Sequence, residues 1–273
     1  MPFLPISKED LEERSWDYVD IIVVSADAYV DHPSFGHAVV SRLFEHEGLR
    51  VAVLPQPNWR DDLRDFKKLG KPRLFFAVSS GMDSMVNHYT ANKRLRHDDA
   101  FTPGGKSGFR PDYAVYVYTQ ILKKLFPETP VIIGGLESSL RRISHYDYWQ
   151  NKIKPSILFD TNADLLVYGM GEKPLKEIIR LIKKGVPIKN MNSIPQTAYL
   201  TPKENVPKNK LWEDLQLSDF EECAKDKQIQ FKNFRLFEIE TNKMYSKRII
   251  QNVYDKSVVV NPPYPPMAYG ELD

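Results

Sequence analysis

The stretch Asp20-Ile21-Ile22-Val23-Val24-Ser25 is short, β-branched and apolar almost without a break. A strand with one wet face alternates apolar and polar residues. A run without alternation suits a strand buried on both faces, as in a parallel sheet. Outward from it the same rhythm recurs. A loop from Ala26 to about Ser34 leads into a helix expected over Phe35–Glu47, with Phe35, Val39, Leu43 and Phe44 on one face and Gly48 placed to end it. Strands follow at Arg50–Leu54, closed by Pro55, and at Arg73–Val78, with a helix near Asp61–Leu69 between them. The long connection Ser79–Arg110 interrupts the pattern; connections of that length are usually functional or disordered. Pro111 suits the first position of a helix reaching about Phe126. Val131–Ile133 and Asp164–Tyr168 are further strands, and Glu172–Lys184 is a helix ending at Gly185.

Strand–helix alternation of this kind predicts an α/β fold: a doubly wound, mostly parallel sheet, flavodoxin-like or Rossmann-like, over residues 1–200. Residues 201–273 change character and are expected to form a small α+β appendage. Thr201–Lys210 is polar and reads as a linker, Leu211–Lys227 as helical, and Phe234–Ile239 and Ser257–Val260 as short strands. Asn261-Pro262-Pro263-Tyr264-Pro265-Pro266 is a stiff, polyproline-like exit. A chain that stops at Asp273, just past a spacer, leads us to expect that something follows it.

Composition narrows the function. The 273 residues are 42% hydrophobic and 27% charged, with a net charge of +2, too balanced to argue for nucleic acid. No apolar run approaches the roughly 18 residues of a membrane span, and Met1-Pro2-Phe3-Leu4-Pro5 does not begin a signal peptide. One cysteine, Cys223, permits no internal disulfide, which suits a reducing cytoplasm. It also permits no self-contained iron–sulfur cluster and no Cys-based zinc site; Cys223 reads as an ordinary free thiol.

Ligands of doubly wound sheets bind outside the carboxyl ends of the strands. The loops after Val24, Leu54, Val78, Ile133 and Tyr168 therefore share one rim, and the candidate ligand residues lie on it. Ser79, Ser80, Gly81, Asp83 and Ser84 follow the third strand and are similar to the Ser-Gly-Gly-x-Asp-Ser pyrophosphate loop of ATP pyrophosphatases, with Ser80 in place of glycine. A nucleotide-binding enzyme using Ser79–Ser84 is thus an alternative reading. Gly134, Gly135, Glu137 and Ser138 follow the fourth strand; close approach to a ligand and a tight capped turn both account for them. Gly169, Gly171 and Glu172 open the helix after the fifth, where the dipole alone favours Glu172; the third glycine of a dinucleotide fingerprint is missing. Gly105-Lys106-Ser107 mimics the end of a phosphate loop, but Ala100 stands where its first glycine belongs. Asp27, Asp31, His32 and His37 could form a metal or acid/base set, or merely cap a helix and face solvent. His145, in Ser144-His145-Tyr146-Asp147-Tyr148-Trp149, has the same two readings. No metal site is assigned.

In combination, Asp27–Gly36, Ser79–Thr90, Gly134–Arg142, His145–Trp149 and Asn261–Pro266 resemble the N-terminal region of YgiQ-type radical SAM proteins, over essentially the whole chain. The resemblance implies an accessory domain, not catalytic alone, that positions substrate or caps a radical SAM barrel in the same polypeptide. That barrel would bring a [4Fe–4S] cluster and S-adenosylmethionine; this chain would bind neither by itself. The paired glycine turns are also similar to cobalamin-binding domains. However, Asp31 and His32 are adjacent and Gly36 is four residues past His32, so the Asp-x-His-x-x-Gly signature is absent. The expectation is a fold kept without cobalamin. No membrane partner is expected, and the small-molecule ligand is unspecified.

Overall fold

In a computed structural model that describes residues 3–29, 35–81, 87–90 and 92–266, eleven strands and nine α-helices alternate along the chain. The strands are β1 (Ile21–Ser25), β2 (Val51–Pro55), β3 (Phe75–Ser80), β4 (Val131–Gly134), β5 (His145–Asp147), β6 (Lys152–Lys154), β7 (Leu165–Val167), β8 (Thr197–Pro202), β9 (Asp214–Gln216), β10 (Arg248–Val253) and β11 (Lys256–Val260). The helices are α1 (Lys8–Glu13), α2 (Gly36–His46), α3 (Arg64–Lys67), α4 (Ala114–Leu125), α5 (Gly135–Leu140), α6 (Ile157–Thr161), α7 (Glu172–Lys183), α8 (Phe220–Lys225) and α9 (Lys227–Thr241).

Nine strands form one sheet in the order β2-β1-β3-β4-β7-β8-β11-β10-β9, while β5 and β6 make a separate hairpin. The first five are parallel, as the unalternating β1 run predicts. Successive residues nonetheless go to opposite faces. Ile22, Val24, Phe76, Val78 and Ile133 pack under Phe66 of α3 and Val115, Tyr118 and Leu122 of α4. Ile21, Val23, Phe75, Ile132 and Leu165 pack under Phe44 of α2 and Leu175, Ile178 and Ile179 of α7. Both faces are covered, so the fold is doubly wound.

The last third departs from its reading in detail. Phe234–Ile239 is part of α9, not a strand: its inward stripe is Gln230, Asn233, Phe237 and Glu240, a helical spacing that a local apolar run hides. Within Leu211–Lys227 helix is confined to α8 and the first residue of α9; Asp214 begins the edge strand β9, where both its carboxylate oxygens accept from Arg248 on the adjacent β10. The polar stretch from Thr201 continues β8 to Pro202 and then makes one 3₁₀ turn, Lys203–Asn205. The boundary expected between residues 200 and 201 falls inside β8, which pairs with β11 from Ala198 to Pro202.

β8 runs antiparallel to β7, and β11 antiparallel to β8, so β11 points the same way as the parallel strands. Leu166, Ala198 and Val260 lie in one row across the sheet. The chain therefore leaves β11 at the same rim that carries the strand-end loops.

Candidate functional site

The strand order reverses between β1 and β3, and this switch point is where ligands of open α/β sheets bind. Its loops are cross-linked. Asp27 is buried, and its Oδ2 accepts from the Gly81 backbone N–H at 2.9 Å; Ala26 N–H donates to Ser79 O. Gln56, just past β2, donates through Nε2 to Ala26 O (3.1 Å) and to Phe101 O (2.8 Å). The long connection thus closes over the β1–β2 side of the rim. It is held by Arg110, fully buried, which donates from Nε and Nη2 to the two oxygens of Asp99 at 2.7 and 2.8 Å. Burial raises the Asp99 pKa, but Arg110 outweighs it and holds the carboxyl below its usual range. Asp112 anchors the same connection by accepting from the N–H groups of Asn87 and His88.

The predicted ligand residues separate by location. Ser79 and Ser80 end β3 at the switch point and Gly81 follows it; Asp83 and Ser84 lie outside the described residues, as do Asp31 and His32. The glycine turns stand further along the rim, at β4 and β7. Gly135 has φ +80°, and a Cβ there would lie 2.4 Å from the backbone oxygen of Ser80. What approaches it closely is β3. A Cβ on Gly134 would meet Val167 O at 3.3 Å, on Gly169 the Gln196 amide at 3.3 Å, and on Gly171 the Leu175 side chain at 3.2 Å. The four glycines line a notch of about 60 Å³, small beside the roughly 300–1,000 Å³ of small-molecule pockets. That notch does not fit a corrin or its nucleotide tail.

Glu137 and Ser138 are fully buried. The Glu137 oxygens accept from the N–H groups of Val115 (3.0 Å) and Tyr116 (3.2 Å), satisfying donors at the start of α4. Arg141, one turn on, approaches Glu137 at 3.4 Å and stacks on the Tyr113 ring. Burial pushes the Glu137 carboxyl up; Arg141 and the two N–H groups pull the other way. The hydroxyls of Ser80 and Ser138 are enclosed with no hydrogen-bond partner among the described residues. Ser139 Oγ accepts from Gly169 N–H and joins the two glycine turns. Glu172 opens α7 as read.

Other residues carry the site without a sequence signal. Gln56, Asp99, Arg110 and Asp112 are ordinary polar residues in loops; only the buried Asp99–Arg110 pairing marks them. His145 on β5 faces Arg141, Lys154 and Asp147; burial first, then Arg141, lowers its pKa from 6.5 to about 4. The residue is half-buried, and burial and the Arg141 charge both favour its neutral form. Cys223 is buried, accepts from Asn233 Nδ2 at 3.0 Å, and has its thiol pushed up by burial. A cluster needs several thiolates, so these residues do not fit one. Among the described residues no group of three or more His, Cys, Asp or Glu could hold a metal, and no helix is long and apolar enough to cross a membrane.

A family model described as radical SAM N-terminal matches residues 3–273. A UPF0313 protein of Porphyromonas gingivalis is 58% identical over 272 residues, covering 99% of this chain but 43% of that protein. One from Bacteroides thetaiotaomicron is 56% identical, covering 99% and 45%. One from Geobacter sulfurreducens is 46% identical, covering 100% and 45%. The chain spans less than half the length of each of these relatives.

Proposed function

This chain belongs to the radical SAM N-terminal family, and we propose that it acts as an accessory module that positions substrate over, or caps, a radical SAM centre in the rest of a longer polypeptide. The observation that carries this reading is the direction of β11. It delivers the chain to the rim that carries the strand-end loops, four strands along from β3, where Asn261 and Pro262 run beside Thr197 and Gln196, and Gln196 Nε2 donates to the Tyr168 and Met170 carbonyls of the β7 turn. The cluster and S-adenosylmethionine belong to that continuation, since one buried, protonated cysteine cannot supply the thiolates. Ser79 and Gly81, half-buried at the end of β3, are the described residues of the switch point that can face a ligand there, and buried Asp27 positions Gly81 by accepting its N–H.

The test uses the full-length protein with its cluster reconstituted anaerobically. Asp27→Asn is expected to leave cluster absorbance and S-adenosylmethionine binding unchanged while lowering the 5′-deoxyadenosine formed when cell extract supplies substrate. Loss of the cluster in Asp27→Asn, or unchanged 5′-deoxyadenosine, would sink the reading. Saturable binding of ATP–magnesium or hydroxocobalamin by this chain alone would replace it with a nucleotide or corrin site.

A further inference from the structure

The helix α9 is built inside out. Its buried stripe is mostly polar: Gln230, Asn233 and Glu240 face inward beside Phe237. Each of the three is engaged. Gln230 accepts from Ser144 Oγ at 2.8 Å and donates to Ser144 O at 3.0 Å. Asn233 accepts from Ser218 N–H and donates to Ser218 O and Cys223 Sγ. Glu240 accepts from Lys247 N–H and from Lys243. The apolar residues point outward instead, Phe231 61% and Phe234 53% exposed. Surface helices of globular domains normally do the reverse.

Phe231 and Phe234 form one wall of a groove of about 660 Å³. Leu140, 63% exposed, Tyr146 and Ile153 stand on the other side, and Phe237 is the floor. Exposed aromatic surface gathered around one concavity marks an interaction site. The groove is also connected to the chain's exit. The Arg142 guanidinium lies 4.5 Å from the Phe237 ring and 4.5 Å from the Tyr168 ring. The Tyr168 hydroxyl donates to Asn261 O at 2.5 Å, at the end of β11.

We infer that the α9 groove is the docking surface for the remainder of the polypeptide, the part by which the relatives exceed this chain. Two observations select this occupant over a second copy. The relatives carry more than half their length outside the matched region. And the chain leaves β11 at Asn261, two aromatic rings from the groove, before Tyr264 passes Lys173 of α7, so the continuation starts at the end of the rim nearest the groove. The inference rests on the reading that this chain works within a longer protein, but not on the rim being a ligand site.

The experiment compares this chain with the full-length protein. Hydroxyl-radical footprinting is expected to modify Phe231 and Phe234 several-fold more slowly in the full-length protein. In full-length Phe231→Asp/Phe234→Asp, proteolytic separation of residues 1–273 from the remainder is expected to accelerate several-fold, with the thermal midpoint of this chain bearing the same substitutions unchanged. If that pair fails to fold, Leu140→Asp on the facing wall should give the same acceleration. Equal footprints in the two proteins would overturn the inference. So would a dimer of this chain, by sedimentation, that the aspartates convert to monomer. Asp27→Asn should leave that proteolytic separation unaltered, so failure at the rim and failure at the groove are read separately.

Discussion

Gly135 and His145 show how single residues answer to their surroundings. Gly48 and Gly135 share a left-handed backbone, at φ +83° and +80°, but Gly48 faces open space while Gly135 faces the backbone of Ser80. Gly48→Ala should cost about 1 kcal/mol, the backbone strain alone. Gly135→Ala adds a clash with backbone that cannot swing aside and should cost about 2–5 kcal/mol. Urea unfolding of the two variants measures the difference, and equal losses would contradict the contact. His145 makes a pH prediction. Its pKa falls from 6.5 to about 4 on folding, so between those values the unfolded chain binds more protons. Its contribution is then complete above about pH 6.5 and is lost as pH falls toward 4, up to about 3 kcal/mol in all. Glu137 and Asp160, whose pKa values burial raises, slope the other way. The comparison of parent with His145→Gln across this window isolates the histidine: the variant's stability should fall less steeply as acid is added. The Gly135 contact is not legible in sequence because it depends on Ser80, far earlier in the chain, and the His145 shift is not because its largest cause is burial, although Arg141 and Lys154 are near in sequence.

At the scale of elements, the strands were the most readable. β1, β2, β3, β4 and β7 appear within about two residues of their expected bounds, since burial on both faces leaves an unmistakable apolar run. Helix starts were less so. Pro111 suggested the first turn of α4, but the helix begins at Ala114, because the Glu137 carboxylate reaches its N–H groups from α5. The helix expected over Asp61–Leu69 shrinks to the four residues of α3, whose approach is held by Asp61, Asp62 and Asp65 accepting from nearby donors. The long connection is an element in its own right, pinned by one buried ion pair. Arg110→Met leaves the Asp99 carboxylate buried without its partner, a loss of about 3–5 kcal/mol. Hydrogen exchange in residues 92–110 should accelerate far more than in β3 or β4. Uniform acceleration would show instead that the connection and the sheet open together.

At the scale of the molecule, the sheet does not stop where the composition changes. β8 hydrogen-bonds to β7 on one side and β11 on the other, and Asn261 donates to the Ile194 and Asn192 carbonyls just before β8. A fragment of residues 1–200 would end inside β8 and expose its apolar edge. It should behave as an aggregating or molten species by gel filtration and circular dichroism; a compact, cooperatively unfolding fragment would mark residue 200 as a true boundary. By itself the sequence determined the parallel α/β class, the shared rim, the family resemblance and the lack of cluster ligands, because each rests on local runs, spacing or residue counts. Only the tertiary structure decided that the rim glycines accommodate neighbouring strands, that Glu137 caps a helix, that α9 turns its aromatic side outward and that the chain departs at the rim. Those features are set by which distant backbones meet, and residue order along a single chain does not encode that in any local pattern.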